Sequence, residues 1–279
     1  MRGAVRGATV LGMLLCAAEA ALGLPVVGAG ANTLPQGAFM IDVWAIRQEH
    51  TRRYDPTEED WKDLDEGVGS EAASFVPRFY YGVLDRMTVR AAFPLEYRLS
   101  IDPEREDSAV GVGDIVVDPK IQIIRAKAGY PRVALLTGVR FPTGDTKSDP
   151  RLSDGSTDFV LGAAATHRVG DVTGHACLTY WVNGESVDGI DLKDTWVGTA
   201  SLESPVSEHL TLLWEGKVYA GEAPRDSYQA YVCPGISWSD GEHVTVGMSA
   251  LVSVAAAGGD GISHKDYDWA PYLKITYRP

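Results

Sequence analysis

Apolar and polar residues alternate with a period of two along most of the chain. In one run the apolar positions include Val133, Leu135 and Phe141, and the polar face between them carries Arg132 and Arg140. Alternation of this kind is typical of β-strands that have one apolar and one polar face. The chain is therefore predicted to be all-β.

About twelve runs follow this pattern, and each is interpreted as one strand. Most are about 10 to 13 residues long, and ten residues tilted by about 40° rise roughly 25 Å, the height of the apolar band of a membrane barrel. The sequence thus predicts an antiparallel transmembrane β-barrel over residues 38–279, with strands at 38–48, 74–83, 86–98, 113–125, 131–141, 157–168, 172–183, 194–203, 209–220, 227–238, 243–254 and 268–277.

The connections between these strands alternate in length. Short turns are predicted on one side, and most connections on the other side are longer and acidic, namely 49–73, 100–112, 142–156, 184–193 and 255–267. Outer-membrane barrels have this arrangement, with their long loops outside the cell and their short turns in the periplasm. We therefore expect the acidic loops to face outwards and both chain ends to face the periplasm.

Residues 1–20 have the features of a secretory signal. Arg2 and Arg6 precede an uncharged run, and Ala18-Glu19-Ala20 supplies the small residues of a cleavage site. The run is shorter than the roughly 20 apolar residues that a membrane-spanning helix needs. We predict cleavage after Ala20, a short N-terminal segment over residues 21–37, and localisation of the barrel in the bacterial outer membrane.

Charge and cysteine content narrow the range of partners. The formal net charge is −13, so a nucleic-acid backbone would be repelled. The three cysteines, Cys16, Cys177 and Cys233, show no CxxC spacing, so neither a zinc site nor a disulfide framework is expected. The sequence implies no cofactor. The expected partners are outer-membrane lipid, the outer-membrane assembly machinery and a small hydrophobic solute.

Two motifs lie at the start of one predicted strand and the end of the next. Gly111-Val112-Gly113-Asp114 leads into the first strand, and the second ends in Pro142-Thr143-Gly144-Asp145. Upstream lie Leu34-Pro35-Gln36-Gly37 and Tyr81-Gly82-Val83-Leu84-Asp85-Arg86, the latter followed by Phe93-Pro94-Leu95. In this order the motifs resemble the bacterial meta-pathway phenol-degradation family of outer-membrane β-barrel proteins, over about residues 34–183. The resemblance implies a barrel that passes hydrophobic or aromatic compounds.

The strand alternation turns many charged side chains towards the barrel interior. The candidates for lining the lumen are Arg78, Arg90, Glu96, Asp114, Asp118, Lys120, Arg132, Arg140, Glu215 and Lys217. An isolated charge in a narrow barrel is costly, so these side chains are expected to pair. Two interpretations stay open: a ladder of ion pairs that only fills the barrel, and a wall along which a small solute passes.

Four carboxylates in and after one acidic loop form a weak candidate metal site. Asp145, Asp149, Asp154 and Asp158 are closely spaced, and hard divalent cations prefer such oxygen ligands. The spacing matches no EF-hand, and the alternative is a solvated acidic loop. No other metal site is predicted.

Six histidines raise the alternative of a barrel-borne lipid hydrolase. The sequence contains no GxSxG motif, so we predict no catalytic residue and no enzyme. The predicted function is a channel or transporter for passive uptake of small hydrophobic or aromatic compounds. A structural barrel with a sealed lumen is the other alternative.

Overall fold

The computed structural model describes the predicted barrel and the residues just before it. The described residues are 29–50, 52–55, 60–63, 69–102, 105–126, 129–189, 194–221, 228–257 and 269–279. The predicted signal peptide and its cleavage site lie outside them. No helix in these ranges is long and apolar enough to cross a bilayer.

Regular structure in the described residues consists of strands. Their bounds are β1 (Phe39–His50), β2 (Arg52–Asp55), β3 (Asp60–Asp63), β4 (Gly69–Leu84), β5 (Met87–Ala92), β6 (Leu95–Asp102), β7 (Arg105–Val112), β8 (Ile115–Ile124), β9 (Arg132–Phe141), β10 (Asp158–Val169), β11 (Val172–Val182), β12 (Thr195–Pro205), β13 (Leu210–Ala220), β14 (Tyr228–Ser239), β15 (Val244–Ala257) and β16 (Trp269–Tyr277).

Strand β1 closes the sheet into a barrel, because it pairs with β16 on one side and with β4 on the other. Ile41 lies opposite Tyr277 in the first pairing, and Phe39 lies opposite Tyr81 in the second. Twelve antiparallel strands form the closed ring, and β6 and β7 extend it. The prediction of an antiparallel barrel of about twelve strands is confirmed.

The predicted strand 86–98 and the predicted loop 100–112 differ from the structure. The strand is divided at Phe93-Pro94 into β5 and β6, and most of the loop is strand β7, which pairs with β6. Proline at this point cannot donate a backbone hydrogen bond, and the amide of Gly113 donates to the Pro94 carbonyl at 2.9 Å across the break. Strand β7 begins with consecutive charged residues, so it lacks the apolar alternation that marks the other strands.

The predicted first loop, residues 49–73, also contains more strand than expected. Strand β4 begins at Gly69, and β2 and β3 pair as a small hairpin of their own. The first residues of β4 are small or polar, with no alternation from which a strand could be predicted.

Apolar side chains cover the outer surface of the barrel. Examples far from the strand ends are Leu178, which is 51% exposed, and Trp214, which is 59% exposed. Several aromatic side chains near strand ends are also exposed, namely Tyr81, Trp196, Tyr228, Trp238, Trp269 and Tyr277. An exposed apolar belt with aromatic residues at its edges is the surface of a barrel that spans a lipid bilayer.

One side of the barrel interior is filled with apolar side chains. Leu213, Tyr231, Cys233, Leu251 and Tyr272 form a buried cluster on the inner faces of β13 to β16. Trp44 and Tyr219 pack against it. The open part of the lumen is therefore displaced towards the opposite wall.

The lipid-facing assignment predicts a depth-dependent effect of arginine. Leu178 lies near the middle of β11, whereas Val246 lies two residues after the start of β15. We expect Leu178→Arg to lower the free energy of unfolding by about 2–4 kcal/mol and Val246→Arg by about 0–1 kcal/mol, because water is closer to the strand end. Denaturant unfolding in lipid vesicles measures both. Equal effects of the two variants would contradict the assignment.

The arrangement of loops and turns predicts the orientation of the barrel in the membrane. An epitope inserted after the exposed Lys147, in the connection between β9 and β10, should bind antibody on intact cells. The same epitope after Gly241, in the turn between β14 and β15, should bind only after the outer membrane is permeabilised. The reverse result would invert the orientation.

Candidate functional site

A cavity of about 2030 Å³ runs along the lumen between the two ends of the barrel. At the end with the short turns it is lined by Asp85 and Arg125, and at the end with the long loops by Gln48 and Ser100. Among the described residues, β14 and β15 contribute none to its wall. The cavity therefore follows the side of the lumen that the apolar cluster leaves open.

Most of the charged residues predicted to face inwards line this cavity. Those that do are Arg78, Arg90, Glu96, Asp114, Asp118, Lys120, Arg132, Arg140 and Lys217. Glu215 faces inwards and is 6% exposed, but it does not line the cavity. Their role in the passage of a solute stays a prediction.

Arg78 and Asp42 form a buried ion pair between β4 and β1. The guanidinium binds both carboxylate oxygens, with Nη2 2.6 Å from Oδ2, and the Tyr80 hydroxyl donates to the same oxygen at 3.0 Å. The guanidinium carbon lies 3.4 Å from the centre of the Trp44 ring. Burial of both charges is tolerated because each is hydrogen-bonded or stacked. The alternation of β1 turns the Asp42 side chain inwards, but the sequence alone does not show that Arg78 is its partner.

Further ion pairs line the cavity, and in three of them the cation is the more exposed partner, whereas Asp154, at 34%, is more exposed than Arg140. The side chains of Arg90 and Asp118 are 31% and 15% exposed, with Nε 2.7 Å from Oδ2. Arg98, at 40%, binds Glu96, at 17%, with 2.7 Å between Nη2 and Oε2. Arg140 is 28% exposed, and it binds the fully buried Asp158 and lies 3.6 Å from Asp154. Guanidinium groups therefore face the open lumen.

Three other cations interact with uncharged groups. The Lys120 ammonium donates to the Gly30 carbonyl at 3.0 Å, and Arg132 Nη1 donates to Asn32 Oδ1 at 2.7 Å. The Lys217 ammonium lies 4.4 Å from the centre of the Tyr219 ring.

Residues 29–37 enter the lumen and lie against its inner wall. The Ala31 amide donates to Thr166 Oγ1 at 2.8 Å, and the Leu34 amide donates to Thr88 Oγ1 at 2.7 Å. Ala31 is fully buried. The sequence indicates a short segment before the barrel, but the contacts that hold it against the wall cannot be read from the sequence.

The two upstream motifs of the sequence meet where this segment joins β1. The Gly37 amide donates to the Gly82 carbonyl at 2.8 Å, and the Gln36 amide donates to Asp85 Oδ1 at 3.1 Å. A Cβ atom on Gly82 would lie 1.9 Å from the Pro35 carbonyl oxygen, so only glycine allows this approach. The motifs thus fix the N-terminal segment at the short-turn end.

The two downstream motifs meet at the opposite end of the lumen. The Thr143 hydroxyl donates to the Gly113 carbonyl at 2.9 Å and accepts from the Ile115 amide at 3.0 Å. The Gly144 amide donates to Asp114 Oδ1 at 3.1 Å. These bonds anchor the start of the connection between β9 and β10.

This connection folds over the long-loop end of the lumen. Leu152 is buried, and the Arg151 carbonyl accepts from Arg98 Nη1 at 2.6 Å. Arg151 also binds Asp188 in the neighbouring loop, and its hydrogen bond lowers the pKa of the Asp188 carboxyl below the usual value. The connection therefore narrows one mouth of the cavity.

The weak candidate metal site is not assembled. Among the described residues, no three Asp, Glu, His or Cys side chains converge as metal ligands. Asp149 pairs with Arg105, Asp154 and Asp158 lie beside Arg140, and Asp145 accepts from the Lys147 amide. Nearby cations and amides satisfy these carboxylates, which is a physical reason why they do not form a cation site.

His175 is buried in a structural network. His175 Nδ1 lies 2.9 Å from Thr166 Oγ1, and His175 Nε2 lies 3.3 Å from Glu203 Oε1. None of these three side chains lines the cavity, and the Thr166 hydroxyl also accepts from the Ala31 amide. The arrangement gives a substrate no access and instead holds the N-terminal segment. Cys177 and Cys233 are free thiols.

The buried Arg78–Asp42 pair predicts a large loss of stability when it is broken. Asp42→Asn leaves a buried guanidinium without its carboxylate, so the free energy of unfolding should fall by about 3–5 kcal/mol. The control is Arg151→Gln, which breaks an exposed pair and should leave the unfolding midpoint unchanged. Heat-shift migration and denaturant unfolding in vesicles measure both. Unchanged unfolding of Asp42→Asn would contradict a structural role for the pair.

Several solved structures are similar to this chain. The outer membrane channel COG4313 from Pseudomonas putida F1 has a TM-score of 0.75 and 13% identity, covering 89% of this chain and 98% of that one. The translocator domain of the autotransporter NalP from Neisseria meningitidis has a TM-score of 0.48 and 15% identity, covering 100% and 98%. The P. putida toluene transporter TodX has a TM-score of 0.46 and 8% identity, covering 88% and 89%. No curated protein sequence matches this chain.

The first of these similarities supports the fold of an outer-membrane barrel, in agreement with the apolar belt. The family model described as "Putative MetA-pathway of phenol degradation" matches residues 25–264, which is most of the chain. The sequence motifs indicate the same family. The chain is an outer-membrane β-barrel and belongs to this phenol-degradation family.

Proposed function

We propose that the barrel is a channel for passive entry of small hydrophobic or aromatic compounds. The observation that carries this proposal is the cavity of about 2030 Å³, whose wall includes residues from both ends of the barrel. A barrel that served only as a scaffold would have no need of such a cavity. Outer-membrane lipid and the outer-membrane assembly machinery are the other proposed partners.

The composition of the wall supports passage of aromatic compounds. The rings of Trp44, Tyr80, Trp181 and Tyr219 all line the cavity. Aromatic side chains offer flat apolar contact area to an aromatic solute. Membership of a family described by phenol degradation points to the same class of compound.

A sealed structural barrel is the second candidate, and two observations favour it. Residues 29–37 occupy part of the lumen at the short-turn end, and Leu152 with its neighbours covers part of the other end. The ion pairs along the wall also stabilise the barrel whether or not a solute passes. Flux measurements separate the two candidates.

The channel proposal predicts that a bulky side chain in the cavity slows flux. Thr199 lines the cavity, whereas Ala200, the next residue of β12, is exposed on the outer surface. We expect Thr199→Trp to reduce uptake of catechol into reconstituted vesicles several-fold, because the indole occupies the route. Ala200→Trp places the same side chain against lipid and should leave uptake unchanged.

Both variants are compared with protein-free vesicles, and heat-shift migration confirms that they fold. Wild-type uptake no faster than that of protein-free vesicles would support the sealed barrel. Equal uptake by wild type and a folded Thr199→Trp variant would show that the solute does not follow this cavity.

A further inference from the structure

We propose that the channel prefers aromatic anions, of which small aromatic carboxylates are the natural class. The inference rests on the proposed channel function and adds the charge of the solute. Three features support it: the exposure of the lining charges, the partners of the lining lysines, and the rings beside these cations.

The ion pairs present their positive members to the lumen. In the pairs of Arg90 with Asp118, Arg98 with Glu96 and Arg140 with Asp158, the guanidinium is consistently more exposed than the carboxylate. At these three pairs a solute in the cavity meets N–H donors before it meets carboxylate oxygens, while Asp154 beside Arg140 is itself 34% exposed. Guanidinium groups bind carboxylates through parallel hydrogen bonds, so the exposed partner is the one suited to an anion.

Two lysines on different walls add positive charge, and among the described residues neither forms an ion pair with a carboxylate within 4.0 Å. Lys120 of β8 donates to a backbone carbonyl, and Lys217 of β13 lies over the ring of Tyr219. Within the described residues, more Lys and Arg than Asp and Glu side chains line the cavity. This excess is opposite in sign to the net charge of the whole chain, −13. Several carboxylates, Asp42 and Asp158 among them, lie behind the wall while their arginines are nearer the cavity, so an anion in the cavity comes closer to positive than to negative charge.

Aromatic rings lie next to the cations along the same wall. The Arg140 guanidinium carbon is 5.9 Å from the centre of the Trp181 ring, and Lys217 is beside Tyr219. Each neighbourhood offers a cation for an oxyanion and a flat face for a ring. A small aromatic carboxylate carries both groups in one molecule, whereas an aliphatic anion or a neutral arene matches only one.

The test compares three benzene derivatives of similar size in vesicles containing the folded full-length chain. Benzenesulfonate is the anion, benzyl alcohol is the neutral solute and benzyltrimethylammonium is the cation. Neither ion can become neutral by gaining or losing a proton, so neither can cross the lipid in an uncharged form. With the rate of protein-free vesicles subtracted, uptake should fall in the order anion, neutral, cation. The anion should exceed the neutral solute about threefold and the cation about tenfold, the factors for one positive unit charge roughly 6 Å away in water.

The outcomes distinguish the two proposals. If none of the three enters faster than into protein-free vesicles, the channel function itself fails. If all three enter equally fast above background, the channel stands and the anion preference fails. Faster entry of the cation would likewise overturn the preference.

Substitutions of the lining lysines test whether the cavity wall causes the preference for anions. Lys217→Gln and Lys120→Gln should each reduce the ratio of anion to cation uptake, and Lys217→Arg should retain it. Lys147→Gln removes the same charge from an exposed loop position outside the cavity and should leave the ratio unchanged. The reversal potential under a salt gradient gives an independent readout, and the two lysines provide separate tests if one variant fails to fold. Unchanged ratios in both folded glutamine variants would contradict the assignment.

Discussion

Closure of the sheet through β1 is the constraint on which the rest of the structure depends. Within a bilayer every backbone amide and carbonyl needs a partner in the protein, so a sheet can span it only without free edges. Strand β1 meets this condition by pairing along one edge with β16 and along the other with β4. Once the ring is closed, each strand has one face in lipid and one face in the lumen. The inward orientation of the charged residues follows from this geometry.

The enclosed charges in turn determine how the lumen is built. Because water is limited inside a narrow barrel, carboxylates such as Asp42 and Asp158 are buried against arginines rather than left in the open. The same polar wall holds the N-terminal segment, since Lys120 and Arg132 both donate to it. The ion pairs therefore stabilise the barrel and also leave cations on the surface that a solute would meet. The two interpretations of the inward charges are compatible for this reason.

Much of the barrel could be predicted from sequence, because strict alternation specifies both the strand and its facing. Prediction failed where that signal is weak: β7 has charge on both faces, and the start of β4 is small and polar. For the site, the alternation along β4, β5, β8 and β9 is enough to predict which charged side chains face inwards. The position of residues 29–37 cannot be predicted in this way, because it depends on long-range hydrogen bonds such as that from Ala31 to Thr166. The motifs pointed to these contacts only indirectly, since glycine at position 82 is required by the approach of Pro35.

Because of the apolar cluster on the inner faces of β13 to β16, the width of the passage does not follow from the width of the barrel. The number of strands fixes the circumference of the ring, but the rings of Tyr231 and Tyr272 and their neighbours occupy one side of the space inside it. A molecule crossing the barrel would travel off the central axis, along the arc that runs from β1 through β4, β5 and β8 to β12. The largest solute admitted is then decided by individual side chains on that arc and by residues 29–37. Relatives with the same twelve-stranded ring can therefore differ widely in the molecules they exclude.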